Sequence, residues 1–173
     1  MERPGKALLA AIALQLLLLA AIPAPLAWTR WTGETVLLEM QPVDPFDAMR
    51  GWYQDLALEV GDPARFPEES DELREGRRAW VVVAPDAAGV ARPVAVRTTR
   101  PEPVGAGEIV LRGTYRGGRI RFGAETFFVA ENERGALADD LREHLRDARA
   151  EVRVGSAGRV VLTALRVGDR RYE

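Results

Sequence analysis

The segment from Ala7 to Leu26 constrains this chain more than any other, because it contains one polar side chain, Gln15, and no charge. An α-helix rises about 1.5 Å per residue, so this segment would extend roughly 30 Å, the thickness of the hydrocarbon core of a bilayer. It therefore decides in which compartment the remaining residues lie and which partners they can meet.

Three interpretations fit an apolar segment at this place in a chain. Arg3 and Lys6 precede it, and the positive-inside rule keeps such an N-terminus in the cytoplasm. A cleaved signal peptide usually has a shorter apolar core and a small-x-small exit, whereas Pro23 and Pro25 stand at the exit here. We therefore expect a retained anchor in the cell membrane. A cleaved signal peptide and a buried helix of a soluble protein are the alternatives.

The predicted topology crosses the membrane once. Residues 1–6 form a cytoplasmic tail, residues 7–27 a transmembrane anchor, and residues 28–173 one extracytoplasmic, periplasmic domain. About 140 residues are enough for one domain with its own core. Without Glu2, Arg3 and Lys6, the 24 basic and 26 acidic residues of the chain become 22 and 25. This even balance favours neither nucleic acid nor an anionic membrane surface as a partner, so the membrane is met through the N-terminal helix alone.

Beyond the anchor, short segments of alternating or continuous apolar residues predict β-strands. They lie at 35–41, 52–60, 79–84, 93–97, 108–115, 119–122, 127–129, 151–154 and 160–167. Residues 61–78 are charged and predict a long exposed loop, and Gly117-Gly118 predicts a hairpin. Asn132 fits an N-cap, and the helical spacing of apolar residues after it predicts one amphipathic helix of about 15 residues. The expected fold is a strand-dominated α+β domain, as a sandwich or a partly open barrel.

The residue types present exclude several chemistries from the exported domain. The only lysine is Lys6, on the cytoplasmic side of the anchor, so a Ser-Lys dyad or a Schiff-base lysine is impossible there. There is no cysteine, and His144 is the only histidine, which excludes thiolate and multi-histidine metal sites. Ser70 and Ser156 are the only serines, and neither resembles a nucleophile elbow. We predict no cofactor, no metal site and no catalytic residue.

His144 falls at the margin of the apolar face of the predicted helix, four residues after Asp140, and we interpret it as a boundary histidine with that local partner. A pair of carboxylates acting as general acid and base remains an alternative, since acidic residues are plentiful. A cleft in which Asp44, Glu125 or Glu131 converge would support it.

The densest local signal is the segment 42–58, PVDPFDAMRGWYQDLAL. Asp44 fits an N-cap, Pro45 the first helical position, and Asp47 the third, where a carboxylate meets the positive end of a helix. Gly51 fits the left-handed residue that ends a short helix before the next strand. The pattern therefore predicts a turn, a short helix and a strand, with the two aspartates in structural positions.

The same segment resembles the signature of the GDYXXLXY family of bacterial membrane-anchored proteins. Gly51, Tyr53 and Leu56 match the glycine, the first tyrosine and the leucine of the signature, whereas Trp52 and Leu58 replace its aspartate and last tyrosine. A second block, from Phe122-Gly123 through Phe127-Phe128-Val129 to Glu131, is similar to a later block of the family, with Ala130 and Asn132 at its proline and glycine. The family is a domain of unknown function, so the resemblance implies an anchored domain and no particular activity.

Two classes of function compete at this point. The first is a non-enzymatic module that binds or assembles with another membrane protein through residues of the two signature blocks: Arg50, Trp52, Tyr53, Phe128 and Glu131. The alternative is an envelope hydrolase of signal-peptidase-like ancestry that uses carboxylates. A sensor of a small molecule or of the cell wall is not separable from the first class by sequence.

Overall fold

The computed structural model describes residues 4–41, 53–67, 69–102 and 105–173. Its helices are α1 (Pro4–Ala21), α2 (Ala24–Thr32) and α3 (Arg134–His144). Its strands are β1 (Glu34–Gln41), β2 (Tyr53–Asp55), β3 (Ala57–Leu58), β4 (Arg78–Pro85), β5 (Val90–Arg97), β6 (Ile109–Arg116), β7 (Arg119–Arg121), β8 (Thr126–Phe128), β9 (Arg149–Val154), β10 (Val160–Val167) and β11 (Arg170–Tyr172). The expected strand-dominated α+β class is confirmed.

The apolar N-terminal segment forms two helices rather than the single one expected. Pro23 stands at the N-cap of α2 and Pro25 in its first turn, and the axes of the two helices differ by 47°. Proline lacks a backbone N–H and clashes with the carbonyl four residues earlier, which breaks the helix at this point. In the described part of the chain no one helix is both long and apolar enough to cross a bilayer. The bent pair passes that test by length and composition only.

Nine strands form one open, mixed sheet in the order β11-β10-β9-β1-β5-β4-β6-β7, with β3 paired to β1. Every pairing is antiparallel except that of β1 with β5, which places Leu37 opposite Val90 in a parallel register. A separate two-stranded ribbon is formed by β2 and β8. The N-terminal strand of the domain therefore lies in the interior of the main sheet, between β9 and β5.

One hydrophobic core joins the main sheet to the segments that cover it. Val36, Leu38 and Met40 alternate along β1 on the buried face, and Leu137 of α3 reaches the same core. At the far end of the sheet the chain returns toward β3, because the guanidinium of Arg119 donates a 2.9 Å hydrogen bond to the carbonyl of Leu58.

The predicted strand 52–60 is divided, although its burial pattern holds. Leu56, Leu58 and Val60 are buried as expected, but the chain leaves the ribbon after Asp55 and pairs briefly with β1 as β3. The N–H of Leu56 donates to the carbonyl of Glu125 at 2.7 Å, so the division occurs where one partner strand is exchanged for another. The strand expectation is therefore right in its buried face and wrong in its continuity.

Glu59 is buried, not exposed as the alternation predicts, and it forms an ion pair with Arg65. It begins a 3₁₀ turn that ends at Gly61, where a Cβ would lie 2.5 Å from the carbonyl oxygen of Ile120. Glycine is required there because the two backbones approach so closely.

The segment 61–78 is not a uniformly exposed loop. Phe66 and Leu73 are buried in the core, and Ser70–Glu72 form a 3₁₀ turn between them. The carboxylate of Glu69 accepts a 2.9 Å hydrogen bond from the N–H of Val96 and pairs with a neighbouring arginine, which fastens the segment to β5. The charges and prolines of this segment predicted exposure, so the burial of Phe66 and Leu73 was not expected.

The helix after the second signature block is shorter than expected. It begins at Arg134 because residues 131–133 form a 3₁₀ turn, so Asn132 lies inside that turn and is not the N-cap. The hairpin between β6 and β7 is as predicted, with Gly117 and Gly118 both at positive φ. The two outcomes differ because a two-residue turn is decided locally, whereas the start of α3 depends on how the preceding strand ends.

Candidate functional site

The ribbon of β2 and β8 brings the two signature blocks together. Tyr53 lies opposite Phe128 in its register, and Gln54 lies opposite Phe127. Because successive residues of a strand face opposite sides, Phe127 is buried in the core while Phe128 is 72% exposed. The ribbon therefore has one face in the core and presents a large aromatic side chain on the other.

A tight turn before β8 positions this ribbon. Gly123 has a φ of +79°, and the carboxylate of Glu125 accepts hydrogen bonds from the N–H groups of Phe122 and Gly123, the second at 2.9 Å. With its oxygens occupied in this way, Glu125 stabilises the turn. These hydrogen bonds fix the turn from which β8 begins.

Of the predicted interaction residues, Phe128 and Glu131 are exposed, and Tyr53 lies opposite Phe128 in the ribbon. The remaining signature residues lie outside the described residues, so their roles stay predictions: Asp44, Pro45, Asp47, Arg50, Gly51 and Trp52. The structure thus brings together the second block and the last part of the first, at Tyr53.

The local partner expected for His144 is wrong. Asp140 instead accepts a hydrogen bond from the hydroxyl of Tyr172 and forms a 3.3 Å ion pair with Arg170. The hydroxyl of Tyr172 has a raised pKa, first because it is buried and second because it donates to this carboxylate. These contacts fasten α3 to the last strand, whereas His144 lies 3.9 Å from the exposed carboxylate of Glu143.

The carboxyl group of Glu151 lies on β9, and the residue is only 6% exposed. Arg171 donates to it at 2.9 Å and Arg166 at 2.8 Å. The hydrogen bonds from Arg171 and then those from Arg166 lower its pKa from 4.5 to about 2, against the opposing effect of burial. A carboxylate held in this way joins three neighbouring strands and stays charged, so its place in the fold is structural.

Helix α2 packs directly on the turn between β9 and β10, a contact that the sequence did not reveal. Thr29 is 5% exposed, and a Cβ on Gly155 would lie 3.0 Å from its Oγ1. A Cβ on Gly33 would lie 2.5 Å from the carbonyl oxygen of Thr29. Arg153 also donates a 2.8 Å hydrogen bond to the carbonyl of Gly33. The sequence features that relate to this contact are two glycines, Gly33 directly after α2 and Gly155 in the turn between β9 and β10.

No group of three or more histidine, cysteine or acidic residues suited to a metal ion occurs within the described ranges. Ser70 lies in the 3₁₀ turn that it begins, and Ser156 lies in the turn after β9.

A model of one protein family matches residues 15–165, from within α1 to near the end of β10. The chain belongs to the GDYXXLXY family. The suspected resemblance is therefore confirmed over most of the chain. No curated protein and no solved structure matches it.

In this GDYXXLXY protein, the described part of the signature divides into a core half and a ribbon half. Leu56 occupies the leucine position and is buried, and Leu58, at the last tyrosine position, is buried as well and pairs with Met40 of β1. The tyrosine position, Tyr53, belongs to the ribbon with Phe128. The leucine part of the GDYXXLXY signature thus fixes the chain to the sheet.

Proposed function

We propose that this GDYXXLXY protein is a membrane-anchored, extracytoplasmic protein that acts without catalysis, as an interaction or assembly module for another membrane protein. The observation that carries the anchor is the exposed apolar surface of α1. Leu17 is 67% exposed and the other large side chains along the helix are similarly uncovered. Surface of this kind and extent is stable when a lipid phase covers it.

The helix after α1 supports a position of the domain close to the bilayer surface. Trp28 and Trp31 are both exposed on α2, and tryptophan is enriched where hydrocarbon meets headgroups. Thr29, which lies between them in the sequence, packs closely against Gly155 in the turn between β9 and β10. The architecture that goes with this proposal is a bent membrane helix pair followed by a partly open barrel, since Arg119 brings β7 back toward β3.

The anchor and its orientation are tested by fusing alkaline phosphatase after Glu173. We expect an active enzyme that stays with the membranes after an alkaline wash, because Lys6 and Arg3 hold the N-terminus in the cytoplasm. An active but soluble fusion would indicate a cleaved signal peptide. An inactive fusion would contradict the orientation.

The interaction surface that we propose is the outer face of the ribbon around Phe128, together with Glu131, three residues later in the sequence. A few large side chains usually carry most of the energy of an interface, and this phenylalanine is the largest exposed apolar side chain on the described strands. Arg50, Trp52 and Tyr53 are proposed to extend the same surface, on the strength of their places in the first signature block.

This surface is tested with a photocrosslinking amino acid at position 128 in living cells, with position 94 as the control. Val94 is also an exposed apolar residue, but it lies on β5. We expect a discrete crosslinked membrane protein from position 128 only. Equal crosslinking from both positions would contradict the proposal.

A pair of adjacent substitutions separates binding from folding. Phe128→Ala should leave the melting temperature nearly unchanged and weaken the crosslinked complex when the probe is moved to Glu131. Phe127→Ala removes a buried side chain and should lower the free energy of unfolding by about 3–5 kcal/mol. If the two variants lose stability equally, Phe128 is a packing residue and the ribbon is not the interaction surface.

A further inference from the structure

Four arginines line one groove on the main sheet. The groove has a volume of about 310 Å³ and is lined by Arg78, Arg112, Arg121 and Arg159, together with Thr114 and the turn after β7. Among the residues that the structure describes, no acidic side chain lines it. The even charge balance of the whole sequence therefore conceals a local surface of one sign.

The register of three strands explains why these side chains meet. Thr114 of β6 lies opposite Arg78 of β4 on one side and opposite Arg121 of β7 on the other. Residues directly opposite each other share a face of a sheet, and Arg112 is two positions before Thr114, so it shares that face too. The fourth, Arg159, follows Gly158, whose carbonyl accepts a 2.7 Å hydrogen bond from the N–H of Arg112.

Within the described ranges, the side chains of these four arginines form no ion pair and no hydrogen bond. Acidic side chains line two neighbouring grooves: Glu72 shares one with Arg78, and Glu125 shares the other with Arg121. The carboxylate of Glu125 already accepts hydrogen bonds from the N–H groups of Phe122 and Gly123.

An anion would relieve the repulsion among these four charges. Guanidinium groups bind phosphate with paired, planar hydrogen bonds, and they are less strongly hydrated than ammonium groups, so they are suited to such a ligand. The four arginines, contributed by β4, β6, β7 and the turn after β9, thus form an arrangement suited to binding a phosphate group.

The position of the groove indicates which molecule presents the phosphate. Arg159 also lines a second groove, of about 500 Å³, with Pro25, Trp28 and Thr32 of α2. Through Arg159, the arginine groove therefore adjoins a groove along α2, the helix that directly follows apolar α1. We propose that it binds the phosphate group of an anionic lipid headgroup at the membrane surface. This inference rests on the membrane anchor proposed above.

The test uses the full chain in lipid nanodiscs of two compositions: phosphatidylcholine alone, and equal parts of phosphatidylcholine and phosphatidylglycerol. We expect the melting temperature to be about 5 °C higher in the anionic discs, as for a ligand present well above its dissociation constant. High salt should reduce the difference, because it screens exposed charges. Native mass spectrometry of protein released from the discs should show retained phosphatidylglycerol.

The decisive variant is the double substitution Arg112→Gln with Arg159→Gln. The matched control is Arg142→Gln with Arg146→Gln, which removes the same charge from exposed positions that do not line the groove. The groove variant should melt in phosphatidylcholine discs at or slightly above the temperature of the unmodified protein, because repulsion is reduced. It should lose both the shift and the retained lipid, whereas the control keeps them.

Three results would overturn the proposal: no shift in the unmodified protein, an equal shift in the groove variant, or loss of the shift in the control. Inorganic phosphate added to phosphatidylcholine discs distinguishes the sources. If it alone reproduces the whole shift and the groove variant abolishes that effect, the ligand is a soluble phosphate and not a lipid. A protein that elutes apart from the discs would refute the anchor itself, which is a separate failure.

Discussion

The substitution Glu151→Gln tests the contribution of a buried carboxylate that two arginines hold. It keeps the size of the side chain and removes the charge that holds Arg166 and Arg171 together across β9, β10 and β11. A folded-state pKa of about 2 against the usual 4.5 corresponds to about 3 kcal/mol of stability at neutral pH. The arginine side chains are 49% and 40% exposed, so solvent screens the interaction and we expect a loss of about 2 kcal/mol.

The pH dependence gives the same prediction a second measurement. Because the pKa of Glu151 is lowered on folding, its contribution is complete above about pH 5 and is lost as the pH falls toward 2. Urea denaturation of the full chain in detergent, followed by tryptophan fluorescence, should show the stability gap between the unmodified protein and the variant closing over that interval. Taking the difference removes the contributions of other acidic groups.

The control for this experiment is Glu143→Gln, at an exposed position of α3. It should change the free energy of unfolding by less than about 0.5 kcal/mol. The reasoning is refuted if Glu151→Gln is as stable as the unmodified protein at pH 7, or if the gap between them is the same at pH 7 and pH 3.

Two further predictions concern how helices are fastened to the sheet. Tyr172→Phe should lower the free energy of unfolding by about 1–2 kcal/mol in urea denaturation, because it leaves the carboxylate of Asp140 without its buried donor; an unchanged value would contradict that contact. Gly33→Ala should separate α2 from the domain, since the new Cβ meets the carbonyl of Thr29, and hydrogen exchange of α2 should accelerate. Gly135→Ala is the control, because a Cβ at this position would meet no neighbouring atom; it should leave the hydrogen exchange of α2 unchanged.

Features decided by nearby residues could be predicted from the sequence. The hairpin at Gly117 and Gly118 needs only two residues that accept positive φ, and the strands on either side are correct to within a residue or two. The burial of Leu56, Leu58 and Val60 followed from their alternation alone.

Features that depend on residues far apart in the chain could not be predicted from the sequence. Glu59 and Glu151 look like exposed acidic residues in sequence, and each is buried because arginines from other elements reach it. The arginine groove unites positions from Arg78 to Arg159, and only the strand order places them on one face. The strand order cannot be seen in any local sequence pattern, and the net charge of the chain does not show that positive charges cluster in one groove.

For the candidate site, the sequence identified the two blocks but not how they join. Tyr53 and Phe128 are paired although more than seventy residues separate them in the sequence. Phe128 is exposed because the register of the ribbon turns its neighbour Phe127 toward the core. Phe127 and Phe128 are identical as residues and adjacent in sequence, so only the register separates the packing residue from the exposed one.

The interior position of β1 determines when this domain can finish folding. One edge of β1 pairs with β5 and the other with β9, and Glu34 meets Val154 at the end of the second pairing. While the chain is synthesised, β1 emerges early and then waits for a partner that lies more than a hundred residues later. Closing so long a loop is slow, and an unpaired strand edge invites pairing with other chains until it closes. We therefore expect truncations that end before Arg149 to aggregate rather than to form a smaller domain.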